Sequence, residues 1–281
     1  MTSETQQRPS FLRGNLYWLA TQAQGGQILN HGTKQKGTLA VVMSTFVWNQ
    51  SAAMDSVSTV PRLTHSGATH HHSFTTQKIG SVFSKRPEGG TNDDGEFDCW
   101  QILRAYKNQD VGPGKFAAKS IRRIEEFVAQ SLNAQLSPDL ARQVLPSKVK
   151  GRRAIPRGSV VEYLDLDRTR RVAIILTNEE LQQCRSVVAI VLAEDVKTAG
   201  RNPTPIFPGI GVADGLSAEL VVFPASIRSL DLAFLGYGVQ TEYGEAVLSL
   251  EKTNLLAELA LEYLGIKRAK VPGSATIVWA P

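Results

Sequence analysis

Thr64-His65 sets a hydroxyl beside an imidazole, the pairing in this 281-residue chain with the most direct chemical use. Histidine titrates near neutrality, so beside a hydroxyl it can take up or release a proton as base or acid. A second signal is charge. Residues 142–157 carry Arg142, Lys148, Lys150, Arg152, Arg153 and Arg157 with no acid among them, which reads as a solvated linker or as a surface facing phosphates. Asp165 and Asp167 share one strand face, but two acids without further ligands make a solvent-facing pair rather than a metal site. Arg171 can pair with either of them from the neighbouring strand, a surface ion pair worth about 0–1 kcal/mol. His70, His71 and His72 cannot all face one ion from a strand, because successive side chains point to opposite faces. With no Cys or acid at ligand spacing nearby, they read as a polar loop. Neither a metal nor a cofactor is expected.

The elements that must position these groups centre on residues 157–178. Alternation through Val160, Val161, Tyr163 and Leu164, then a charged turn, then the apolar run 172–176, predicts a hairpin at the edge of a small barrel. A weaker copy lies near the amino terminus. Arg13-Gly14 matches Arg157-Gly158, Tyr17 and Trp18 fall where Glu162 and Tyr163 fall, and residues 39–44 match 172–177. Residues 58–64 parallel 186–193, and residues 98–106 parallel 223–231. A period this long means two whole domains in one chain.

The resulting division is a disordered start (1–10), a first, divergent repeat (11–136), a basic linker (137–156), a second repeat (157–266) and a tail (267–281). In the first repeat strands are expected at 12–19, 38–44, 57–63 and 98–106, a short helix at 46–54, and an amphipathic helix at 117–132 carrying Ile121, Ile124, Val128 and Leu132. Residues 21–36 make a candidate binding loop. The second repeat predicts strands at 159–166, 171–176, 186–192, 220–223 and 226–229. Its final helix, capped by Ser249, ends at Gly265.

Length agrees with two domains. No apolar run approaches the ~18 residues of a membrane span, and the polar opening lacks a signal core. Cys99 and Cys184 sit outside any paired motif and read as reduced, buried thiols, which implies a cytoplasmic address. The formal net charge of +5 is mild.

The ordered series of RG opening, apolar strand ending in Thr177-Asn178, β-branched third strand, SIRSLD segment and LSLEKTNLLAELALEYLG helix resembles the MazF/PemK/Kid toxins. It covers nearly all of 155–266, and more loosely 12–136. The resemblance implies a mainly β, α+β fold: two tandem small SH3-like barrels, each with a C-terminal helix, forming a pseudo-dimer in one chain. It implies a toxin-antitoxin type, metal-independent endoribonuclease with RNA as partner, possible control by a protein antitoxin, no membrane association, and a monomeric state because the dimer is internal. Residues implied for catalysis are Arg171, as the cation opening the second strand, and Thr64, joined by His65; Arg13, Lys148, Lys150, Arg152, Arg153 and Arg157 are the RNA-binding candidates. The match departs from the family at several points. Val172 stands where the family has proline, Ala193 and Glu194 stand where Thr and Ser belong, and Thr38 takes the arginine's place in the first repeat. The alternative is a catalytically silent nucleic-acid- or protein-binding module on the same fold.

Overall fold

The computed structural model describes residues 11–19, 38–51, 56–63, 76–79, 95–106, 111–115, 118–133, 135, 138, 154–164, 169–184, 187–197, 209–235 and 246–266. The start at 1–10, the loop at 21–36, the three histidines, almost all of the 137–156 linker and the tail at 267–281 lie outside them.

The chain is α+β, with two antiparallel sheets and few helices. The first half contributes β1 (Asn15–Leu19), β2 (Thr38–Val42), α1 (Phe46–Gln50), β3 (Ser56–Leu63), β4 (Thr76–Ile79), β5 (Gly95–Asp98), β6 (Leu103–Tyr106), β7 (Val111–Lys115) and α2 (Ala118–Ser131). The second contributes β8 (Val160–Leu164), β9 (Arg170–Ile175), α3 (Glu179–Cys184), β10 (Val187–Asp195), β11 (Leu220–Asp231) and α4 (Leu250–Tyr263). The larger sheet runs β4-β5-β3-β2-β1-β7 with β6 also on β3; the smaller runs β11-β10-β9-β8. Neither sheet closes on itself among the described residues.

The connectivity β1-β2-β3-β6 has a counterpart in β8-β9-β10-β11, and the hydrogen bonds coincide at corresponding turns. Gly14 N–H donates to the Val42 carbonyl and Gly158 N–H to that of Ile175, both at 2.8 Å. Both glycines have positive φ, 81° and 92°, the left-handed region where a Cβ is strained. β7 pairs with β1 ahead of α2, just as Ser159 bridges Val247 ahead of α4.

The ladders also correct the sequence reading. Leu16 pairs with Val41 and Val160 with Ile174, so Tyr17 and Trp18 occupy the places of Val161 and Glu162, one residue off the expected match. Thr59 faces Val42 as Ile190 faces Ile175, so Ser58 corresponds to Ala189 and not to Ser186. An odd slip of three exchanges the two faces of a strand, and runs of similar β-branched residues give composition little power to detect it. The 98–106 with 223–231 match agrees with the ladders, since Tyr106 faces Ser56 as Asp231 faces Val187.

Three expected strands are divided differently. Residues 98–106 are broken by a turn at Cys99 to Gln101, which separates β5 from β6. Residues 220–223 and 226–229 form the single strand β11, in which Pro224 removes a ladder donor and coincides with a bulge in the β10 pairing. Ser226 Oγ compensates by accepting the Leu192 N–H at 2.7 Å.

One apolar core draws on both halves. Leu16, Val41 and Val60 meet Ile174, Val191 and Val222, with Ile124, Val128 and Leu132 of α2 and Leu256, Ala260 and Leu264 of α4 packed in the same cluster. The helical periodicity in α2 and the Ser249 cap, whose Oγ accepts Lys252 N–H at 3.2 Å, are both present. Opposite this core, each sheet carries a smaller apolar face: Ala40, Val42, Val57 and Leu103 in the first, Tyr163, Ala173, Ile175 and Ile190 in the second.

A Cβ on Gly158 would sit 2.6 Å from Thr253 Oγ1 and 3.1 Å from the Leu248 carbonyl, whereas on Gly14 it would meet only the Ile121 Cδ1 end. Both Gly→Ala variants are expected to lower stability by about 1–3 kcal/mol, Gly158→Ala by more because a backbone carbonyl cannot swing away. Urea midpoints of the two variants check the order.

Candidate functional site

Of the three residues singled out for catalysis, only Arg171 is among the described residues; Thr64 and His65 follow Leu63 at the end of β3 and lie outside them. Arg171 is half-buried, second in β9, directly opposite Tyr163 of β8. Alternation puts it on the outer face with Ala173 and Ile175, away from the shared core. Its Nε and the Tyr163 hydroxyl are both buried. The two side chains share one face of the β8–β9 pair. Arg228, opposite Ile190 on β11, rises from the same face. Sequence reasoning passes over Tyr163 and Arg228 as site residues. The alternation of β8 carried across the turn places Tyr163 beside Arg171, whereas Arg228 requires knowing the β11 bulge.

In the other half, Thr38 pairs with Leu19 in the first β-ladder, and Arg171 with Tyr163 in the corresponding one. Thr38 thus opens its strand as the arginines Arg170 and Arg171 open β9. The placement of Ala193 opposite Thr64 does not agree with the ladders, because by count along β3 and β10 it is Leu63 that corresponds to Glu194, so Asp195 follows where Thr64 follows. Asp165 and Asp167, the expected ion-pair partners of Arg171, lie outside the described residues. Glu162 is described: it is buried, with Arg170 Nη1 at 3.9 Å.

Arg13 and Arg157, expected to face RNA, point instead into the protein. Arg157 donates from Nε to the Leu176 carbonyl at 3.0 Å, from Nη1 to Asn254 Oδ1 at 3.0 Å, and from Nη2 to the Leu132 carbonyl at 2.8 Å. Arg13 donates to the Met43 carbonyl at 3.2 Å and pairs with Glu125 at 2.6 Å. Burial pulls its guanidinium below the usual arginine range, and Glu125 opposes that shift. Each arginine thus fixes the end of the second strand of its half and braces it against a helix. Lys148, Lys150, Arg152 and Arg153 lie outside the described residues.

The Thr177-Asn178 ending of the apolar strand is likewise structural. Thr177 Oγ1 accepts Ala189 N–H at 2.6 Å and Asn178 Oδ1 accepts Glu180 N–H at 2.8 Å, starting α3. Buried Gln182 ties the Ile155 and Thr177 carbonyls together, as buried Asn49 ties those of Phe11 and Ser44. Among the described residues no group of three or more His, Cys, Asp or Glu could hold a metal ion, and no helix is long and apolar enough to cross a membrane.

No family model matches this chain, and no curated protein matches it.

Because Arg157 satisfies two carbonyls and one amide at once, Arg157→Ala is expected to cost about 2–4 kcal/mol, and Arg157→Lys most of that, since an ammonium cannot reproduce the fork. A chemical denaturation series on the wild type and the two variants checks both.

Proposed function

We propose that this chain is a toxin-type protein of MazF/PemK-like build, acting on RNA as a metal-independent endoribonuclease. In this reading two SH3-like barrels in tandem form an internal pseudo-dimer with a degenerate active site. The observation that carries it is the repeated register: both RG turns and both strand-helix junctions recur with corresponding hydrogen bonds. Covalent linkage removes most of the association cost of such a dimer.

Cleavage of this type needs a base for the 2'-hydroxyl, a cation for the crowded phosphorane and an acid for the leaving oxygen. Arg171 is the cation, with Tyr163 on the same sheet face; Thr64 and His65 supply hydroxyl and imidazole. The basic run through Lys148, Lys150, Arg152 and Arg153 gives the phosphate backbone its non-specific attraction. Arg13 and Arg157 act through the fold and not by touching RNA.

One observation favours a second reading, a silent binding module on the same fold. The first half opens its second strand on Thr38, where the second half has arginine, so at most one cation of the pair survives.

Incubation of the full chain with a long RNA in EDTA separates the two. The nuclease reading expects cleavage at discrete sites, reduced about 100-fold or more by Arg171→Ala and also by Thr64→Ala. Intact RNA held in a salt-sensitive gel shift overturns it in favour of the binding module. Light scattering is expected to give a monomer; a stable dimer counts against the internal pairing.

A further inference from the structure

The ladders set Tyr163 of β8 opposite Arg171 of β9, and Val172 opposite Ala193 of β10. One step further in the same register, Arg171 faces Glu194. Alternation along β10 puts Ala189, Val191 and Ala193 in the shared core and Val188, Ile190 and Leu192 on the outer face, so Glu194 belongs to the outer face as well. A phenol, a guanidinium and a carboxylate therefore stand in one row across three adjacent strands, about 4.8 Å apart from strand to strand. Beyond Glu194 the row continues into β11 as Val221, which carries no charge.

The first half has the same row of positions without the chemistry. Leu19 pairs with Thr38 and Ala40 with Pro61, and the same step sets Thr38 against Leu63. None of Leu19, Thr38 and Leu63 is ionisable, so the ladder itself does not call for charge at these places. A purely structural role would make Arg171 and Glu194 a cross-strand ion pair, worth about 0.2–1 kcal/mol. That pair is not closed: among the described residues the Glu194 carboxylate takes part in no ion pair or hydrogen bond, whereas Glu162, on the other face, has Arg170 at 3.9 Å. Exposure rises along the row, from buried Tyr163 to half-buried Arg171 and Glu194, so a ligand arriving from solvent meets the cation and the carboxylate first. The other charged groups near Glu194 turn elsewhere. Asp195 alternates to the opposite face and accepts the Lys197 N–H at 2.7 Å, and Glu219, just ahead of β11, directs its carboxylate at Gly211.

Resting on the nuclease reading above, we propose that Glu194 is its general base, so that cation and base lie side by side within the second half. The Glu194 carboxylate takes the proton of the 2'-hydroxyl as O2' forms its bond to phosphorus. Arg171, one strand away, stabilises the charge gathering on the phosphorane oxygens. The P–O5' bond then breaks, and O5' takes a proton from water. The products are a 2',3'-cyclic phosphate and a 5'-hydroxyl, and the hydroxide left behind removes the proton from Glu194 to restore the carboxylate.

The test is the pH–rate profile of RNA cleavage in EDTA by the full chain, with Glu194→Gln and Glu194→Asp beside the wild type and urea midpoints measured on all three. A general base works in its ionised form, so the wild-type kcat/KM is expected to rise with pH on the acid side. Glu194→Gln keeps the shape and loses the charge; it is expected to cut the rate about 100-fold or more and to abolish the acid-side limb, with an unchanged urea midpoint. Glu194→Asp is expected to keep the limb at a reduced rate. Cleavage by Glu194→Gln at the wild-type rate, lost in Arg171→Ala, overturns the role of Glu194 and leaves the nuclease reading standing. A fall in rate that tracks a lowered urea midpoint while the limb persists also overturns it, and returns Glu194 to a structural pair. RNA left intact by the wild type overturns both.

Discussion

The structure depends on a reciprocal debt between its helices. A helix ends with carbonyls that have no partner in their own helix, and here the last of them are met by donors from the opposite half. The Ser131 carbonyl at the end of α2 accepts Asn178 N–H, the Leu132 carbonyl accepts Arg157 Nη2, and the Asn133 carbonyl accepts Asn178 Nδ2. The Tyr263 carbonyl at the end of α4 accepts Thr45 N–H. Each helix end is thus tied to the strand-helix junction of the other half, in addition to the turn that closes it locally, where Gly265 N–H donates to the Glu262 carbonyl and Ile266 N–H to that of Leu261. The shared core is a consequence, because docking each helix end on the far junction brings both helices onto the inner faces of both sheets. β6 and β11 complete the seam: the Ser229 N–H donates to the Ile102 carbonyl at 2.7 Å, and Arg104 Nη1 to the Ala225 carbonyl at 2.6 Å.

This constraint explains why the charge pattern misleads at Arg13 and Arg157. Arg157 closes a run of six cations without an acid and so looks like a solvated cation, and the sequence offers no sign that its fork will meet carbonyls brought from 19 and 25 residues away. The planar fork suits such a place, because one side chain satisfies several fixed acceptors at once. Its companion in both halves is the glycine beside it, whose positive φ turns the chain into the first strand. The RG dipeptide is legible in the sequence as a repeated mark; its purpose is not.

Much of the rest is legible where periodicity is strong. α2 and α4 announce themselves through apolar spacing and the Ser249 cap, and the match of 98–106 with 223–231 agrees with the ladders. Where residues are interchangeable the pattern slides: the third strand, SVSTVPRL in one half and VVAIVLAED in the other, shifts by three, and only hydrogen bonds fix its register. The break at Cys99 to Gln101 escapes sequence reading because Asp98 accepts Gln101 N–H on its carbonyl and Trp100 N–H on its side chain, a turn built from a single acid within an apolar stretch. α3 escapes it too, its six residues being too few for an apolar period to show.

The two halves agree where they hold each other and disagree where they face outward. Gly14 and Gly158, Arg13 and Arg157, and Asn49 and Gln182 keep the same tasks with corresponding acceptors. Thr38 against the arginines of β9, and Phe46-Val47 against Glu179-Glu180, differ in charge altogether. A homodimer cannot make that distinction, since each change would appear twice. Joining the halves in one chain frees each outer face to change without disturbing the braces, which lie on the other side of the sheets or at the strand ends. The cation face of the second half and the apolar junction of the first are therefore separable: a substitution at either one leaves the seam that supports both intact.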